Sequence, residues 1–570
     1  MFKLIRSKNQ LEAISGVFDK DQLLFCDTET ALDKGRTLPS GTGHGGLYGK
    51  VRLFQVYQAG MKEAYLFDCL FLELSDVLDM FQDFHHVYHN ASYDLHTINC
   101  YTPETWLPRD VDDTFYLSKA KYTSKDKFDF YSCLSYAGLA DDNIMAIDKK
   151  AEQKSDWSKV LTPQMLKYAA YDVLYLSLLY ADLAGSEDEV YKMDIKNLKY
   201  AIHYDRKGLP IDRNTIARLR SKTLLKLEGA TANLTINYNS PKQCKHMLGV
   251  DSTTAAILGD LALAELPVSD TAKDIVDARV ADKFLGFLNS YDRNRVYGFH
   301  NAAGARTGRM TCAGGDRIGY ENTQQPPRKM LQCISAPKGK KLVYNDYSGL
   351  ELRIAIAYVG EPRMEKMMRE GGDMHAESAS IMFGIAPGDL DIEQRTVGKF
   401  FNFGTAYGAG PGILRDGLIS RGGVRLPIGE INTMRTKWLD YYSYFKEWHE
   451  MHKRHYNIYG YMDIVTGLGR TIRCPRLNDS FNYAIQGTAA ECTKPAVQHL
   501  HERYGEPDII NVVHDSICLE KYEDEAEVWV DRLDECMQDA WYYCIKDFAI
   551  PDMPMPKEAE VKQTWAKLEV

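Results

Sequence analysis

The sequence predicts an α/β protein of several domains. At roughly 150 residues per domain, a chain of 570 residues suggests three or four of them, and a 45% hydrophobic content supplies several cores. Short β-rich runs separated by turn residues occupy residues 21–90, whereas helical apolar spacing dominates residues 162–183 and 186–300. These observations exclude a mainly disordered chain and a small disulfide-stapled scaffold.

Net charge is the second global feature. The value of -10 argues against a protein that coats nucleic acid by bulk attraction. Residues 393–476 carry 13 Lys and Arg against 7 Asp and Glu, whereas residues 501–570 carry 7 against 18. The acidity is therefore concentrated at the carboxyl end, and a local basic groove is compatible with the total.

Cysteine usage and hydropathy indicate the compartment. The 12 cysteines stand singly with no CxxC pair, which argues against a disulfide framework or a zinc ribbon. The first residues lack the apolar core of a secretory signal, and no stretch reaches the roughly 18 apolar residues that span a bilayer. We expect a reducing, cytoplasmic location and no membrane partner.

The amino-terminal elements follow in order. Strands are predicted at LLFCDT, VRLFQVYQA, EAYLFD and HHVYHN, with a helix beginning at Ala91. A second helix is predicted from Thr162, because a Thr-Pro pair suits the cap and first turn. The first α/β domain is expected to close near residue 185.

The carboxyl-terminal elements come next. Residues 186–300 predict long helices that pair, and KKLVYNDYSGLELRIAIAYV predicts a strand that leads into a helix. The segment DIINVVHDSICLEKY predicts two short strands that meet at His514 and Asp515. These two strands are candidates for one sheet.

Acidic residues recur in the first domain. Asp27 and Glu29 lie two apart on a predicted strand and therefore share a face, and Tyr168 precedes Asp172 by one helical turn. Asp94 stands in HNASYDL, where a strand gives way to a helix. Converging carboxylates repel one another unless cations neutralise them, so the set predicts a Mg²⁺ site that acts on a phosphodiester.

These residues resemble the DEDDy 3′-5′ exonucleases over roughly residues 20–180. The pattern is DxE, then N-x3-D, then Y-x3-D. The resemblance implies an RNase H-like fold, two metal ions held by Asp27, Glu29, Asp94 and Asp172, and a nucleophilic water positioned by Tyr168.

A second pair of acids stands at strand ends further on. Asp346 ends KLVYND and Asp515 lies in VVHDS, so neighbouring strands could deliver both to two Mg²⁺ ions for nucleotidyl transfer. In RTVGKFFNFGTAYG, Arg395, Lys399, Phe403 and Tyr407 recur every four residues and share one broad helical face. Cations suit a triphosphate, and aromatic side chains suit a nucleobase or a sugar.

From about residue 190 onwards the chain resembles the family A DNA polymerases. DYSGLELR resembles motif A, RTVGKFFNFGTAYG motif B and VHDS motif C. HNAAGARTGR with ENTQQPP resembles the minor-groove grip, and NYAIQGTAA the helix beneath the templating pair. The implied fold is a right-hand polymerase with palm, fingers and thumb.

The resemblance also implies residue roles. Asp346, Asp515 and the Tyr347 carbonyl are the implied metal ligands, and Lys399 is the implied proton donor to pyrophosphate. Glu351 with Tyr407 forms the implied gate against a 2′-hydroxyl, and Phe403 favours rejection of dideoxynucleotides. His375, Arg395 and Lys399 bind the triphosphate, and the implied DNA contacts are Arg309, Thr307, Gln325, Asn482, Gln486 and His514.

Some positions depart from the family pattern. Ser516 replaces a common Glu, Gly349-Leu350 replaces Gln-Ile, and Asn478 stands where an Arg usually precedes the NxxxQG helix. These changes put minor-groove checking and translocation in doubt. His449, His452 and His455 recur every three residues on a charged helix and are interpreted as a solvated face without a ligand role.

The expected order of domains is exonuclease (1–185), thumb and connecting helices (186–300), palm (301–390), fingers (391–476) and palm again (477–570). The expected enzyme extends primer-template DNA with dNTPs and Mg²⁺, two ions in each site with Mn²⁺ as a substitute, and proofreads by 3′-5′ hydrolysis. The thumb segment is compact and no 5′ nuclease segment is seen ahead of the exonuclease. In both respects the chain resembles phage replicases. The expected role is viral DNA replication in a host cytoplasm with helicase-primase and single-strand binding protein as partners.

Two other functions stay open at this point. One is an exonuclease whose carboxyl half only binds DNA, and the other is a non-enzymatic replication scaffold. Intact Asp346, Lys399 and Asp515 favour the polymerase.

Overall fold

A computed structural model describes residues 1–32, 49–145, 155–264, 266–314 and 321–566. Within these ranges, no helix is both long enough and apolar enough to cross a membrane. All twelve cysteines belong to the described part of the chain, and each is a buried free thiol. The prediction against a disulfide framework is therefore confirmed.

The amino-terminal half is built on a six-stranded mixed sheet in the order β1-β4-β3-β2-β5-β6. β3 runs antiparallel to both of its neighbours, and the other neighbouring strands run parallel. The strands are β1 (Phe2–Ile5), β2 (Leu24–Leu32), β3 (Gly49–Tyr57), β4 (Ala64–Asp68), β5 (His85–Tyr88) and β6 (Asp110–Asp113).

Helices pack against this sheet, and the side chains buried between helices and sheet form the core of this half. The helices are α1 (Lys8–Ala13), α2 (Leu74–Phe81), α3 (Ala91–Asn99), α4 (Thr114–Lys121), α5 (Phe130–Tyr136), α6 (Asp142–Met145) and α7 (Pro163–Leu183). α3 begins at Ala91 as predicted, and the Thr162 side chain accepts a hydrogen bond from the Met165 N–H to cap α7. The predicted strands and helices of this half are confirmed.

Long helices follow, as the apolar spacing predicts. α8 (Glu189–Lys207) packs against both halves. The remaining elements of this region are β7 (Leu209–Pro210), α9 (Arg213–Thr231), α10 (Pro241–Leu248), α11 (Ala255–Leu263), α12 (Ser269–Ser290) and β8 (Arg295–Val296). Of these, α9 pairs with α12.

A short hairpin connects this region to the second sheet. Its strands are β9 (Phe299–Asn301) and β10 (Thr311–Ala313). A 3₁₀ helix (Arg328–Cys333) leads from it to β11 (Lys340–Asp346), which runs into α13 (Leu350–Val359). This strand and helix confirm the prediction for residues 340–359.

The second sheet is antiparallel and has the order β14-β15-β11-β16. Its other strands are β14 (Ile509–Val513), β15 (Ser516–Tyr522) and β16 (Glu560–Lys562). β14 and β15 meet at the two residues His514 and Asp515, and His514 has a left-handed φ of 52°. The sequence predicted both the strands and their junction.

Helices on both sides complete this half. They are α14 (Pro362–Glu370), α15 (Met374–Phe383), α16 (Ile392–Ala406), α17 (Pro411–Gly417), α18 (Ile428–Tyr441), α19 (Ser443–Tyr459), α20 (Leu477–Tyr504) and α21 (Ala526–Ile545). Three small segments lie between them: a 3₁₀ helix (Pro387–Asp389), a π-helical turn (Leu418–Gly422) and the hairpin β12 (Met462–Val465) with β13 (Thr471–Cys474).

The interpretation of the three histidines on α19 as a solvated face is wrong. His452 is 1% exposed, and its ring stacks on Phe481 at 5.0 Å. Its Nδ1 bonds the Ser480 hydroxyl at 2.8 Å, and His449 Nε2 donates to the Ala406 carbonyl at 3.2 Å. Helical spacing places these rings against α20. The charged residues between the histidines in the sequence led to the prediction of a solvent-exposed face.

Candidate active sites

The first site lies between β2 and α7. Asp27 and Glu29 leave the same face of β2, and Asp172 approaches from α7. One oxygen from each of these three carboxylates lies within 4.8 Å of the others. Clustered carboxylate oxygens are the donors that hard divalent cations take, so the residues present fit such an ion.

Asp94 approaches this cluster from α3 but is more deeply buried. It is 2% exposed, and its Oδ1 accepts a hydrogen bond from the Thr28 hydroxyl at 2.7 Å. Burial, reinforced by the charge of Asp27, raises the pKa of Asp94 well above its usual value. Burial also raises the pKa of Asp27 to about 7. The acids are thus gathered at an electrostatic cost that a bound cation would relieve.

Tyr168 lies one turn before Asp172 on α7. Burial, and then the nearby charge of Asp172, raises its pKa, so its hydroxyl keeps its proton and serves as a donor. Tyr168 and all four acids line a cavity of about 720 Å³. The structure therefore brings all five predicted residues to one space.

Two contributions to this site were not predicted from the sequence. Gln55 lies opposite Asp27 in the β2–β3 register and donates to its Oδ2 at 3.3 Å. Asn301, Gly304 and Thr311 line the cavity from the β9–β10 hairpin of the other half. No local pattern reveals either contribution, because both depend on residues distant in sequence.

The second site lies at the end of the antiparallel sheet. Asp346 ends β11 and is in register with Ser516, the residue after Asp515. The Tyr347 N–H donates to the Asp515 carbonyl at 3.1 Å. Burial, and then the charge of Asp346, raises the pKa of Asp515 to about 7. The two predicted carboxylates therefore lie close enough to compete for a proton or to share a cation.

Tyr347 offers only its backbone to this site. Its side chain is buried, and its hydroxyl donates to the Met537 carbonyl at 2.6 Å. This agrees with an implied role that uses the main-chain oxygen.

Glu351 connects three motifs. It lies in the first turn of α13 and accepts hydrogen bonds from Arg309 and from the Tyr407 hydroxyl. Burial, and then Glu351, raises the pKa of Tyr407, which therefore stays a donor. The hairpin, the strand-helix unit and α16 meet at this carboxylate.

α16 presents the predicted mixed face. Its N-terminus carries a capping box between Asp391 and Gln394, and Tyr407 follows its last turn. Arg395 and Lys399 are exposed, and Phe403 and Tyr407 are half-buried. The opposite face packs inward, so the four predicted side chains line an accessible surface.

His375 is held beside this face by a buried amide. Asn402 Nδ2 donates to His375 Nδ1 at 3.0 Å, which leaves Nε2 of the neutral ring as a donor. Burial, and then Arg395, lowers the pKa of His375. The Asn402 Oδ1 accepts from Ser378 at 2.6 Å and from the Trp438 indole at 2.8 Å. Asn402 stands inside motif B, yet its role as the buried centre of this network was not predicted.

The six predicted DNA contacts differ in exposure. Asn482 and Gln486 lie one turn apart on α20 and are half-buried, as is Arg309, whereas Gln325 and His514 are exposed. Thr307 is only 6% exposed, so its side chain offers little surface to a ligand. The structure therefore makes five of the six accessible.

The first half of the chain has a cavity lined by carboxylates, and the second half has a carboxylate pair beside a cationic helix. These are the two sites expected of a polymerase with an attached exonuclease. The family model for DNA polymerase family A matches residues 217–567, which are 351 of the 570 residues. The chain belongs to this family. A 3′-5′ exonuclease model matches residues 40–186, a range that includes Asp94, Tyr168 and Asp172 but begins after Glu29.

The relatives are bacterial enzymes. DNA polymerase I of Aquifex aeolicus is 28% identical over 73% of this chain and 79% of its own length. DNA polymerase I of Chloroflexus aurantiacus is 24% identical over 74% of this chain, and the thermostable DNA polymerase I of Thermus thermophilus is 27% identical over 51%. The matched regions span 48% and 36% of these two relatives.

A solved structure supports the fold. The polymerase domain of Pol1 from M. smegmatis, in complex with DNA primer-template and dNTP, superposes with a TM-score of 0.75. The match covers 99% of both chains at 17% identity, so it bears on the fold alone. The predicted architecture, an exonuclease domain followed by a family A polymerase domain, is confirmed.

Proposed function

We propose that the chain is a template-directed DNA polymerase that adds dNTPs to a primer 3′ end and removes mispaired ends by 3′-5′ hydrolysis. One observation carries the proposal. Asp346 and Asp515 lie together at the ends of adjacent strands, and the charge of Glu351 contributes to the raised pKa of Asp515. Glu351 also accepts a hydrogen bond from Tyr407, which lies at the end of the cationic face of α16. In this proposal the primer end binds beside the carboxylate pair, and the triphosphate binds next to it on the face of α16.

Each site is proposed to use two Mg²⁺ ions, with Mn²⁺ as a substitute in assays. Asp346, Asp515 and the Tyr347 carbonyl would hold one pair, and Asp27, Glu29, Asp94 and Asp172 the other. Bound divalent ions neutralise phosphate charge and lower the pKa of an attacking oxygen. Carboxylate clusters with raised pKa values support this assignment.

The remaining side chains position the reactants. Arg395 and His375 bind the triphosphate, and Lys399 gives a proton to the leaving pyrophosphate. Glu351 and Tyr407 exclude a 2′-hydroxyl, and Phe403 faces the sugar. In the other site the Tyr168 hydroxyl orients the attacking water. Primer-template DNA is proposed to contact the five accessible residues Arg309, Gln325, Asn482, Gln486 and His514. The side chain of Thr307 is buried and is left out of this set.

The domain boundaries and the biological role are part of the proposal. We assign residues 1–185 to the exonuclease, 186–300 to the thumb and connecting helices, 301–390 and 477–570 to the palm, and 391–476 to the fingers. We propose a role in DNA replication alongside a helicase-primase and a single-strand binding protein. We also propose that this replication is viral and takes place in a host cytoplasm, because the compact thumb resembles that of phage replicases; the named relatives are bacterial.

Primer extension tests the polymerase. With Mg²⁺ and dNTPs, Asp346→Ala is expected to extend a matched primer roughly a thousandfold more slowly, because one anchor of the phosphate-neutralising charge is lost. Asp440→Ala, at an exposed position on α18, is the control. Extension by Asp346→Ala at the parent rate would refute the assignment.

Hydrolysis of a single-stranded oligonucleotide tests the exonuclease. Asp27→Ala combined with Glu29→Ala is expected to abolish release of 3′ nucleotides while extension of a matched primer continues. The exposed Asp79→Ala serves as the control. Persistent degradation by the double variant, after purification from host nucleases, would contradict the proposal.

A further inference from the structure

The exonuclease cavity has a wall that comes from the polymerase half of the chain. Asn301, Gly304 and Thr311 line it together with Asp27, Glu29 and Asp172. Asn301 and Thr311 are directly paired across the β9–β10 hairpin. Paired residues on antiparallel strands point to the same face of a ribbon, so both side chains face the cavity.

The other face of the same ribbon is anchored. His300 and Cys312 form the adjacent cross-strand pair and are buried. Asp205 on α8 accepts hydrogen bonds from His300 Nδ1 at 2.6 Å and from the His300 N–H at 2.7 Å. Side chains alternate between the two faces of a strand. Because His300 and Cys312 are fixed on the buried face, Asn301 and Thr311 are held on the face that lines the cavity.

The exonuclease domain fixes the loop of the hairpin from its own side. Lys119 on α4 donates to the carbonyls of Ala303, Gly304 and Ala305, the second at 3.1 Å. Asn301 Nδ2 donates to Asn90 Oδ1 at 3.0 Å, directly before α3. A Cβ on Gly304 would lie 1.9 Å from the Thr311 hydroxyl, so only glycine lets the two arms of the hairpin approach this closely.

The wall also differs in charge from the rest of the cavity. The acids on β2, α3 and α7 repel a polyanionic strand, whereas Asn301 and Thr311 are neutral and polar. Thr311 is exposed, and aromatic residues such as Phe115, Phe130 and Trp157 line other parts of the cavity. Neutral donors for phosphates and aromatic faces for bases are the features that single-stranded DNA requires.

We propose that the β9–β10 hairpin is the strand-binding wall of the exonuclease site and that Thr311 faces the sugar-phosphate backbone of the 3′-terminal strand. This inference rests on the proposed exonuclease function and adds a binding surface to it. The hairpin also carries Arg309, which bonds Glu351 at the polymerase site. The same hairpin would thereby contact the DNA at both sites.

Charge substitution at Thr311 tests the proposal with the full chain, Mg²⁺ and a single-stranded oligonucleotide. Thr311→Glu is expected to raise KM for hydrolysis about five- to tenfold and Thr311→Lys to lower it severalfold, because a unit charge lies near a phosphate. kcat should change less than about twofold, and the opposite effects should shrink as salt is raised. Thr311→Ser should behave as the parent.

Matched variants keep the test decisive. Thr433→Glu introduces the same charge at an exposed threonine on α18 and should leave KM unchanged. Asn301→Asp adds a charge to the paired position with little change of shape, and it should raise KM in the same direction as Thr311→Glu. Melting temperatures identify any variant that has lost its fold.

The outcomes separate this inference from the function on which it rests. If the Asp27 and Glu29 double variant loses hydrolysis but all charge variants keep the parent KM, the hairpin is not a strand-binding wall. A change confined to kcat would also overturn the proposal, since it would indicate altered metal carboxylates. Hydrolysis that survives the double variant would reject the exonuclease assignment itself.

Discussion

Glu351 shows how much one residue can contribute to a site through its partners. Its two oxygens accept from Arg309 and from Tyr407, which belong to different elements. The carboxylate also raises the pKa of Asp515 in addition to burial and Asp346. The proposed gate against a 2′-hydroxyl therefore depends on the hydrogen bond between Glu351 and Tyr407 as well as on the bulk of Glu351.

Replacement of Glu351 is expected to weaken sugar discrimination. Glu351→Ala removes bulk and leaves the half-buried Tyr407 hydroxyl without this acceptor, so the ratio of dNTP to rNTP incorporation should fall about 10- to 100-fold. Single-nucleotide insertion with matched dNTP and rNTP measures kcat/KM for each. Glu370→Ala, on the neighbouring α14, should keep the parent ratio, and an unchanged ratio in Glu351→Ala would rule out the gate.

Ser516 is a departure whose setting the structure clarifies. It is buried, pairs with Asp346 across the sheet and donates to the Val513 carbonyl at 3.0 Å. A glutamate here would add another acid beside Asp515, whose pKa is already raised by burial and by the charge of Asp346. The serine thus lowers the local negative charge and leaves both predicted metal ligands intact.

At the scale of elements, helix contacts position the face of α16 that is proposed to bind the triphosphate. α15 and α16 approach each other closely at Gly398, where a Cβ would lie 2.1 Å from the His375 carbonyl oxygen. This approach brings His375 beside Arg395 and lets Asn402 reach the His375 ring. The glycine of motif B is therefore explained by packing between helices.

Gly398→Ala is expected to separate the two helices. Overpacking should destabilise the fold by about 1–3 kcal/mol, and displacement of His375 should raise KM for dNTP more than KM for primer-template. Gly412→Ala is the matched control, because its Cβ meets open space on α17 and should change stability by less than about 1 kcal/mol. Thermal unfolding and steady-state extension measure both quantities, and equal behaviour of the two variants would contradict this explanation.

Elements with strong local signals were predictable from sequence. β11, β14 and β15 carry apolar runs that end in a polar turn, and α7 has its Thr162 cap and regular spacing. The β9–β10 hairpin had no comparable signal, because each strand has only three residues. The residues that anchor the hairpin belong to α4 and α8, which are distant in sequence. The carboxylates were found because their local spacing is visible in the sequence: Asp346 ends β11, and Asp27 and Glu29 alternate along β2. Gln55 and Asn402 act through strand register and helix packing, which no local pattern shows.

At the scale of the whole molecule, one buried cluster joins the two halves. Asp205 on α8 accepts from His96 of α3 at 2.7 Å and from His300 of β9 at 2.6 Å. The partners are 109 and 95 residues away from Asp205. No sequence period connects such positions, so tertiary contacts of this kind cannot be derived from local pattern.

The charges of this cluster predict a pH-dependent stability. Burial alone would raise the pKa of Asp205, but His300 lowers it to about 2, and Asp205 raises the pKa of His300 well above its usual value despite burial. The carboxylate contribution is complete above the unfolded value of 3.8 and is lost as pH falls towards 2. The imidazolium contribution is complete below 6.5 and is lost as pH rises through the raised folded pKa of His300.

Asp205→Asn should therefore destabilise the protein most between about pH 4 and 6.5, by roughly 3–5 kcal/mol, because it leaves a buried charged histidine unpaired. The difference from the parent should decline above that range as His300 loses its proton, and below it as Asp205 gains one. Urea unfolding across pH measures this difference, with the exposed Asp277→Asn on α12 as the control. A difference that is constant from pH 4 to 10 would mean that packing, and not the ion pair, joins the two halves at this point.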